Sequence, residues 1–162
     1  MTPKYDVIII GSGPAGIFAA LEITKVSDLK LLLIEKGEDL SERVCPSRIT
    51  GKPCISCTPC NMVCGLGGAG AFSDGKLTLT PEVGGWLKDY LGEEKTEALL
   101  NYIDQVYLHF GASDKLYGVG DEVEKWRNKA ILSDLKLIKV PIRHMGTENC
   151  FSILSRKMIP EL

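Results

Sequence analysis

Gly11-Ser12-Gly13-Pro14-Ala15-Gly16 is the first set of residues in this 162-residue chain whose types and spacing could do chemistry. The pattern is G-x-G-x-x-G, and each glycine has a physical task. Gly11 permits a tight turn out of a strand, Gly13 leaves the backbone bare for a pyrophosphate, and Gly16 lets a helix lie close to a sheet. Pro14 and Ala15 open that helix, whose unpaired N–H groups and partial positive charge would face the diphosphate. Glu35 stands at the spacing of the acid that accepts hydrogen bonds from an adenosine ribose, and Lys36 beside it is grouped with the same candidate site. A 2′-phosphate would sit badly against that carboxylate, which disfavours NADP and leaves FAD or NAD.

The second set is Cys54-x2-Cys57-x2-Cys60-x3-Cys64, the spacing of a ferredoxin-type iron–sulfur run. It departs from that pattern because Gly65, not proline, follows the fourth cysteine and no second run exists. Cys45, followed by Pro46, is as good a candidate as Cys64 for the fourth ligand of a single cluster. Zinc is less natural, since its ligands usually come as two separated pairs. Cys57-Thr58-Pro59-Cys60 also reads as a C-x-x-C pair able to exchange electrons with a flavin. Reduced, unligated thiols in a loop are the plain alternative. The isolated Cys150 reads as core, and His109, near a helix end, as a capping or surface residue. His144 is placed in a loop after a strand, and Trp86, Trp126 and the tyrosines read as packing residues.

Such residues need elements to hold them. Residues 5–10 and 29–34 are continuous apolar runs, and residues 14–26 have a helical pattern, so the first 40 residues read as a βαβ unit. Apolar runs without alternation predict a parallel sheet covered on both faces. Residues 41–80 show no period and are rich in Cys, Gly, Pro and Ser, which predicts a long functional loop. Residues 81–162 read as mainly helical. One helix starts near Gly92, Glu93 and Glu94, ends at Gly111, and carries a core stripe of Leu99, Leu100, Ile103, Val106, Tyr107 and Phe110. A second starts with Asp121 as its cap and Glu124 reaching back, with Val123, Trp126, Ala130 and Ile131 inward. Residues 135–140 are expected to form a short strand stopped by Pro141, and residues 149–162 one more helix.

The second strand opens into the Cys/Gly loop instead of further strand–helix units, which favours FAD over NAD. From about residue 1 to 80 the sequence resembles FAD-dependent dehydrogenases of the two-dinucleotide-binding-domain class, and more narrowly a bacterial and archaeal group of them. The narrower likeness rests on Arg43-Val44-Cys45-Pro46, the cysteine run, the stretch from Gly67 through Phe72 to Leu77, and Arg143-His144-Met145-Gly146-Thr147. The resemblance implies that Gly67, Gly68, Ala69, Gly70, Ser73, Asp74 and Gly75 lie by the flavin. Glycine-rich backbone suits such a place because it approaches a flat ring and its phosphates with bare N–H donors, although a simple chain reversal would use the same residues. It also implies a longer protein, so the chain is expected to be the N-terminal portion of an FAD-binding domain, with the remainder of the flavoprotein or an electron carrier as partner.

Composition bounds the rest. With 44% hydrophobic residues, 25% charged residues and a net charge of −2, the chain reads as an ordinary globular domain or part of one. Nineteen basic residues against 21 acidic ones argue against a protein built to neutralise nucleic-acid phosphates. No apolar run approaches a membrane span, and a cytoplasmic setting with reduced cysteines is the simplest expectation. The sequence therefore predicts an α/β fold with a Rossmann-like FAD-binding unit, acting as an FAD-dependent oxidoreductase or its N-terminal fragment. A non-catalytic FAD-binding or electron-transfer fragment that needs a partner chain, or an NAD-binding domain, are the alternatives.

Overall fold

A computed structural model describes residues 4–154 and 158–159 of the chain. It divides into two compact units, Met1–Ser73 with Thr147–Leu162, and Asp74–Gly146.

The first unit is built on strand β1 (Val7–Ile10), helix α1 (Pro14–Val26) and strand β2 (Leu31–Ile34). β1 and β2 are parallel, with Val7 opposite Leu31 and Ile10 opposite Ile34, as a βαβ connection requires. Pro14 occupies the first turn of α1, where its missing N–H costs nothing, and Ile17 and Ala20 are fully buried beneath the helix. The strands are two residues shorter at their starts than the apolar runs suggest. Their expected double coverage is also not met, because Ile8 is 57% and Ile10 86% exposed. α1 covers one face of the pair, and among the described residues no apolar layer covers the alternate residues of β1, Ile8 and Ile10. The predicted loop contains structure that its lack of period conceals: helix α2 (Pro46–Thr50) and a 3-10 turn, Gly68–Phe72. Both are too short to show periodicity. Helix α6 (Thr147–Ile153) packs on that 3-10 turn and buries Cys150 and Ile153. The helix expected over residues 149–162 thus begins earlier, and its end lies outside the described residues.

The second unit holds strand β3 (Lys76–Thr78), helices α3 (Leu87–Leu91) and α4 (Glu93–His109), strand β4 (Leu116–Tyr117), helix α5 (Asp121–Ile131) and strand β5 (Ile142–His144). β5 is the central strand of an antiparallel three-stranded sheet, paired with β3 on one side and β4 on the other. The strand expected before Pro141 therefore forms after it. Pro141 lacks an N–H for a ladder, whereas Ile142 and Arg143 have partners on both sides. His144 lies in this strand, edge-on to Tyr117, not in a loop.

α4 has the expected bounds, with His109 as its last residue, but its fully buried positions are polar: Thr96 and Asp104. The apolar stripe beside them is half-buried, and Leu99 is exposed. Asp104 is drawn inward by Arg143, with Nη2 donating to Oδ2 at 2.7 Å and Nε donating to Oδ1. Arg143 Nη1 also donates to the Ser113 carbonyl at 2.6 Å, so this buried charge is both paired and hydrogen-bonded. α5 starts at Asp121, but no side chain caps it. Glu124 pairs with Arg127 and Lys139 instead of reaching back. Trp126 and Ile131 are exposed rather than inward, and Trp86 is exposed too, which corrects the packing role expected of them.

Candidate functional site

The glycine turn forms where β1 meets α1. Gly11 has φ near +100° and donates its N–H to the Ile34 carbonyl at 2.7 Å, fastening the turn to the end of β2. At Gly16 a side chain would collide with the Gly11 carbonyl oxygen, so a glycine there lets the first helical turn fold back on the strand exit. At Gly11 and Gly13 the opposite holds. A Cβ on either would meet nothing within 4 Å, so open space lies directly over bare backbone. Gly13 caps α1 with extended backbone and no side-chain bond, which leaves the N–H groups of the first turn without a side-chain cap. Turn, helix N-terminus and open space together have the geometry that suits an anion.

Glu35 follows β2 and is the electrostatic centre of the site. The Ser12 N–H and Oγ donate to its Oε2 at 2.9 and 3.0 Å, and the N–H groups of Gly37 and Gly65 donate to its Oε1 at 3.0 and 2.9 Å. The Ser12 N–H is the main cause that lowers its pKa from 4.5 to about 2; burial opposes this, and the Gly37 and Gly65 N–H groups add to it. A carboxylate offers about four lone-pair positions, and four protein donors approach them here. The acid expected to hold a ribose thus also ties the glycine turn, its own following loop and the end of the cysteine segment together. Lys36, next to it, is exposed.

The second glycine segment lies against this turn. Gly67 donates its N–H to the Ser12 carbonyl at 2.9 Å. A Cβ at Gly68 would stand 3.1 Å from Gly13 Cα, and one at Gly70 would stand 3.2 Å from Pro14 Cγ. Ala69 is exposed on the 3-10 turn, and Ser73 ends it, its N–H and Oγ both donating to the Gly70 carbonyl. The structure therefore brings Gly67 to Ser12, Gly68 to Gly13 and Gly70 to Pro14. Asp74 and Gly75 belong to the second unit, where their carbonyls accept from the Gly146 and Met145 N–H groups and Asp74 pairs with Lys76.

The cysteines are not assembled as the iron–sulfur expectation requires. Among the described residues no three His, Cys, Asp or Glu side chains come together to hold a metal ion. The reason is conformational. Cys60 and Cys64 lie on one helical turn, with the Cys64 N–H donating to the Cys60 carbonyl at 2.8 Å, whereas Cys54 and Cys57 lie on a stretch without regular structure. Cys45 caps α2. As arranged, Cys45, Cys54, Cys57, Cys60 and Cys64 do not fit a cluster.

Sequence patterns assign no role to Ser12, Gly37 and Gly65, and Arg43 enters them only through a family likeness. Arg43 is 4% exposed and binds four carbonyls of residues 61–68. Its signal was faint: a cation just ahead of Cys45, at the start of a loop poor in charge.

Residues 6–43 match the family described as FAD binding domain. A 75-residue stretch is 44% identical to an uncharacterized protein of Clostridium beijerinckii, covering 46% of this chain and 14% of that protein. A 55-residue stretch is 40% identical to a digeranylgeranylglycerophospholipid reductase of Methanosarcina mazei, covering 34% of this chain and 13% of that enzyme. No solved structure matches. No helix among the described residues is long and apolar enough to cross a membrane. The family match falls on the strand, glycine turn, helix and acid described above, and together they support an FAD-binding flavoprotein.

Proposed function

We propose that the chain holds FAD on its Gly11–Gly16 turn, in a Rossmann-like unit, as the cofactor-binding part of an FAD-dependent oxidoreductase of the dehydrogenase type. One observation carries this reading: bare backbone at Gly11 and Gly13 under open space, at the N-terminus of a 13-residue helix, inside the stretch that matches an FAD binding domain. The residues fit the cofactor. Gly11, Gly13, Pro14, Ala15 and Gly16 would form the diphosphate cradle, Glu35 would share its carboxylate with the ribose, and Gly67, Gly68 and Gly70 would close the opposite wall. The flavin, when bound, supplies hydride or electron acceptance; the protein supplies orientation and charge. Glu35 stays ionised at neutral pH, so it offers acceptors only and favours ribose hydroxyls over a 2′-phosphate.

The test is a visible spectrum and an FAD titration of the chain and of Gly13→Val. Gly13 has φ of −70° and nothing crowds its Cβ position, so valine leaves the fold intact while filling the cradle. A yellow, FAD-binding wild type and a colourless Gly13→Val support the reading; equal binding by both overturns it. NADH binding without any affinity for flavin would replace FAD by NAD.

A second reading is favoured by the open face of β1, where Ile8 and Ile10 are exposed. There the chain binds FAD only with a partner polypeptide, either the rest of a flavoprotein or an electron carrier, that covers those residues. A wild type that is colourless alone and yellow with the partner separates this from the first.

A further inference from the structure

We propose that Arg43 is the positioning residue of the cofactor site, holding the second glycine segment and the Gly65 N–H in place against the nucleotide turn without touching the cofactor itself. The inference rests on the FAD reading above.

The geometry of the guanidinium is specific. Nε donates to the Asn61 carbonyl at 2.9 Å and Nη2 to the Met62 carbonyl at 3.0 Å, while Nη1 donates to the carbonyls of Leu66 and Gly68 at 2.6 and 2.8 Å. The Phe72 ring lies under it, 4.6 Å from Cζ. Four of the five donors in a rigid plane thus bond to backbone carbonyls of one folded-back segment. The two N–H groups of that segment that bond to Glu35 and to the glycine turn are those of Gly65 and Gly67, and the anchored carbonyls bracket both. Gly65 donates to Glu35, and Gly67 donates to the Ser12 carbonyl inside the glycine turn. Contact is close enough that a Cβ at Gly65 would strike Arg43 Cδ and the Glu38 carbonyl, each at 2.6 Å. Loss of the fork therefore frees the segment on both sides of the two N–H groups. The wall at Gly68 then moves away from Gly13, and the cradle loses the pre-organisation that lowers the cost of binding.

A guanidinium used this way cannot be replaced by an ammonium. Lysine keeps the charge and the stem, but it offers three donors from one point and cannot span carbonyls from residue 61 to residue 68. The electrostatic and positioning roles are thereby separable.

The experiment uses the full chain, its Arg43→Lys variant and the milder Phe72→Leu variant, which keeps the guanidinium. Amide hydrogen exchange and FAD titration are measured on each. Arg43→Lys is expected to speed exchange of residues 61–72 by tenfold or more, to leave the peptides of β1, α1 and β2 unchanged, and to weaken FAD binding about tenfold. Phe72→Leu should shift both in the same direction by about threefold. If exchange quickens in either variant but FAD affinity stays within twofold of wild type, the inference is overturned, as it is if exchange of residues 61–72 does not change. Should Arg43→Lys lose protection throughout, Phe72→Leu decides by the same criteria. A wild type with no affinity for FAD, alone or with a partner chain, overturns the functional reading and this inference with it; a binding wild type matched by its variants overturns this inference alone.

Discussion

Arg43 in the first unit and Arg143 in the second are each 4% exposed, yet the two units bury these charges in different ways. Arg143 has a counter-ion: Asp104 takes two of its donors, and the Ser113 carbonyl takes a third. The pairing with Asp104 pushes the Arg143 pKa up against the effect of burial. Among the described residues no carboxylate pairs with Arg43. It is solvated by four carbonyls and an aromatic face, and burial draws its pKa down while Glu35 draws it back up. A paired guanidinium fixes one other side chain. One solvated by carbonyls fixes the path of a backbone segment, because among the described residues its hydrogen-bond partners are backbone carbonyls. The first arrangement suits a unit that must hold a small sheet to a helix, the second a unit that must shape a glycine-lined wall.

The largest effect should come from breaking the pair in the second unit. Asp104→Asn leaves Arg143 charged and unpaired in the interior, and is expected to cost about 3–5 kcal/mol in urea unfolding. Replacing both partners with apolar residues, Asp104→Leu with Arg143→Met, should restore stability to within about 1 kcal/mol of wild type, since no charge then remains buried. Arg43→Met should cost less, about 2–3 kcal/mol, because it strands only neutral carbonyls. An equal or greater loss than from Asp104→Asn would break the contrast between the two sites.

Glu35 gives a pH test. Its carboxyl is lowered from 4.5 to about 2 on folding, so its contribution to stability is present above pH 4.5 and is lost as pH falls towards 2. At neutral pH Glu35→Gln is expected to cost about 2 kcal/mol, since hydrogen bonds to a charged acceptor are lost. The stability difference between wild type and Glu35→Gln should shrink across the window from pH 4.5 to 2. A difference that stays constant with pH would show that the four donors do not stabilise the ionised form. The smallest expected change is Ser12→Ala, which removes only the Oγ bond and leaves the stronger N–H bond: about 1 kcal/mol in the same unfolding measurement.

Parts of the molecule differ in how readable they were. α1 has the bounds that its pattern predicts, because a proline at the start, a helical apolar pattern and a glycine turn before it are local signals. α4 is placed as well by its acidic start and Gly111, yet its inward face is misjudged. Leucines set the expectation, but Asp104 is the buried position because Arg143 lies 39 residues away in sequence and beside it in space. The strand expected before Pro141 fails for a similar reason: an apolar run shows that a strand could form, while β3 and β4 decide which residues find ladder partners. The cysteine spacing is the clearest case of a pattern without its geometry. The spacing fixes how far apart thiols lie along the chain, but convergence on one centre needs the intervening backbone to curl. Here Cys60 and Cys64 share one turn, but among the described residues the thiols do not gather on a common centre.

What the sequence determines by itself is the glycine turn, its helix and the position of the acid, because each rests on steric freedom, charge or apolar pattern carried by the residues concerned. The tertiary structure alone decides what holds these parts together. Glu35 is gripped by the N–H groups of Ser12, Gly37 and Gly65, and Arg43 grips the carbonyls of Asn61, Met62, Leu66 and Gly68. Every residue but proline carries an N–H and all carry a carbonyl, so no side-chain pattern marks which of them will be used. Only the folded path of the chain selects them.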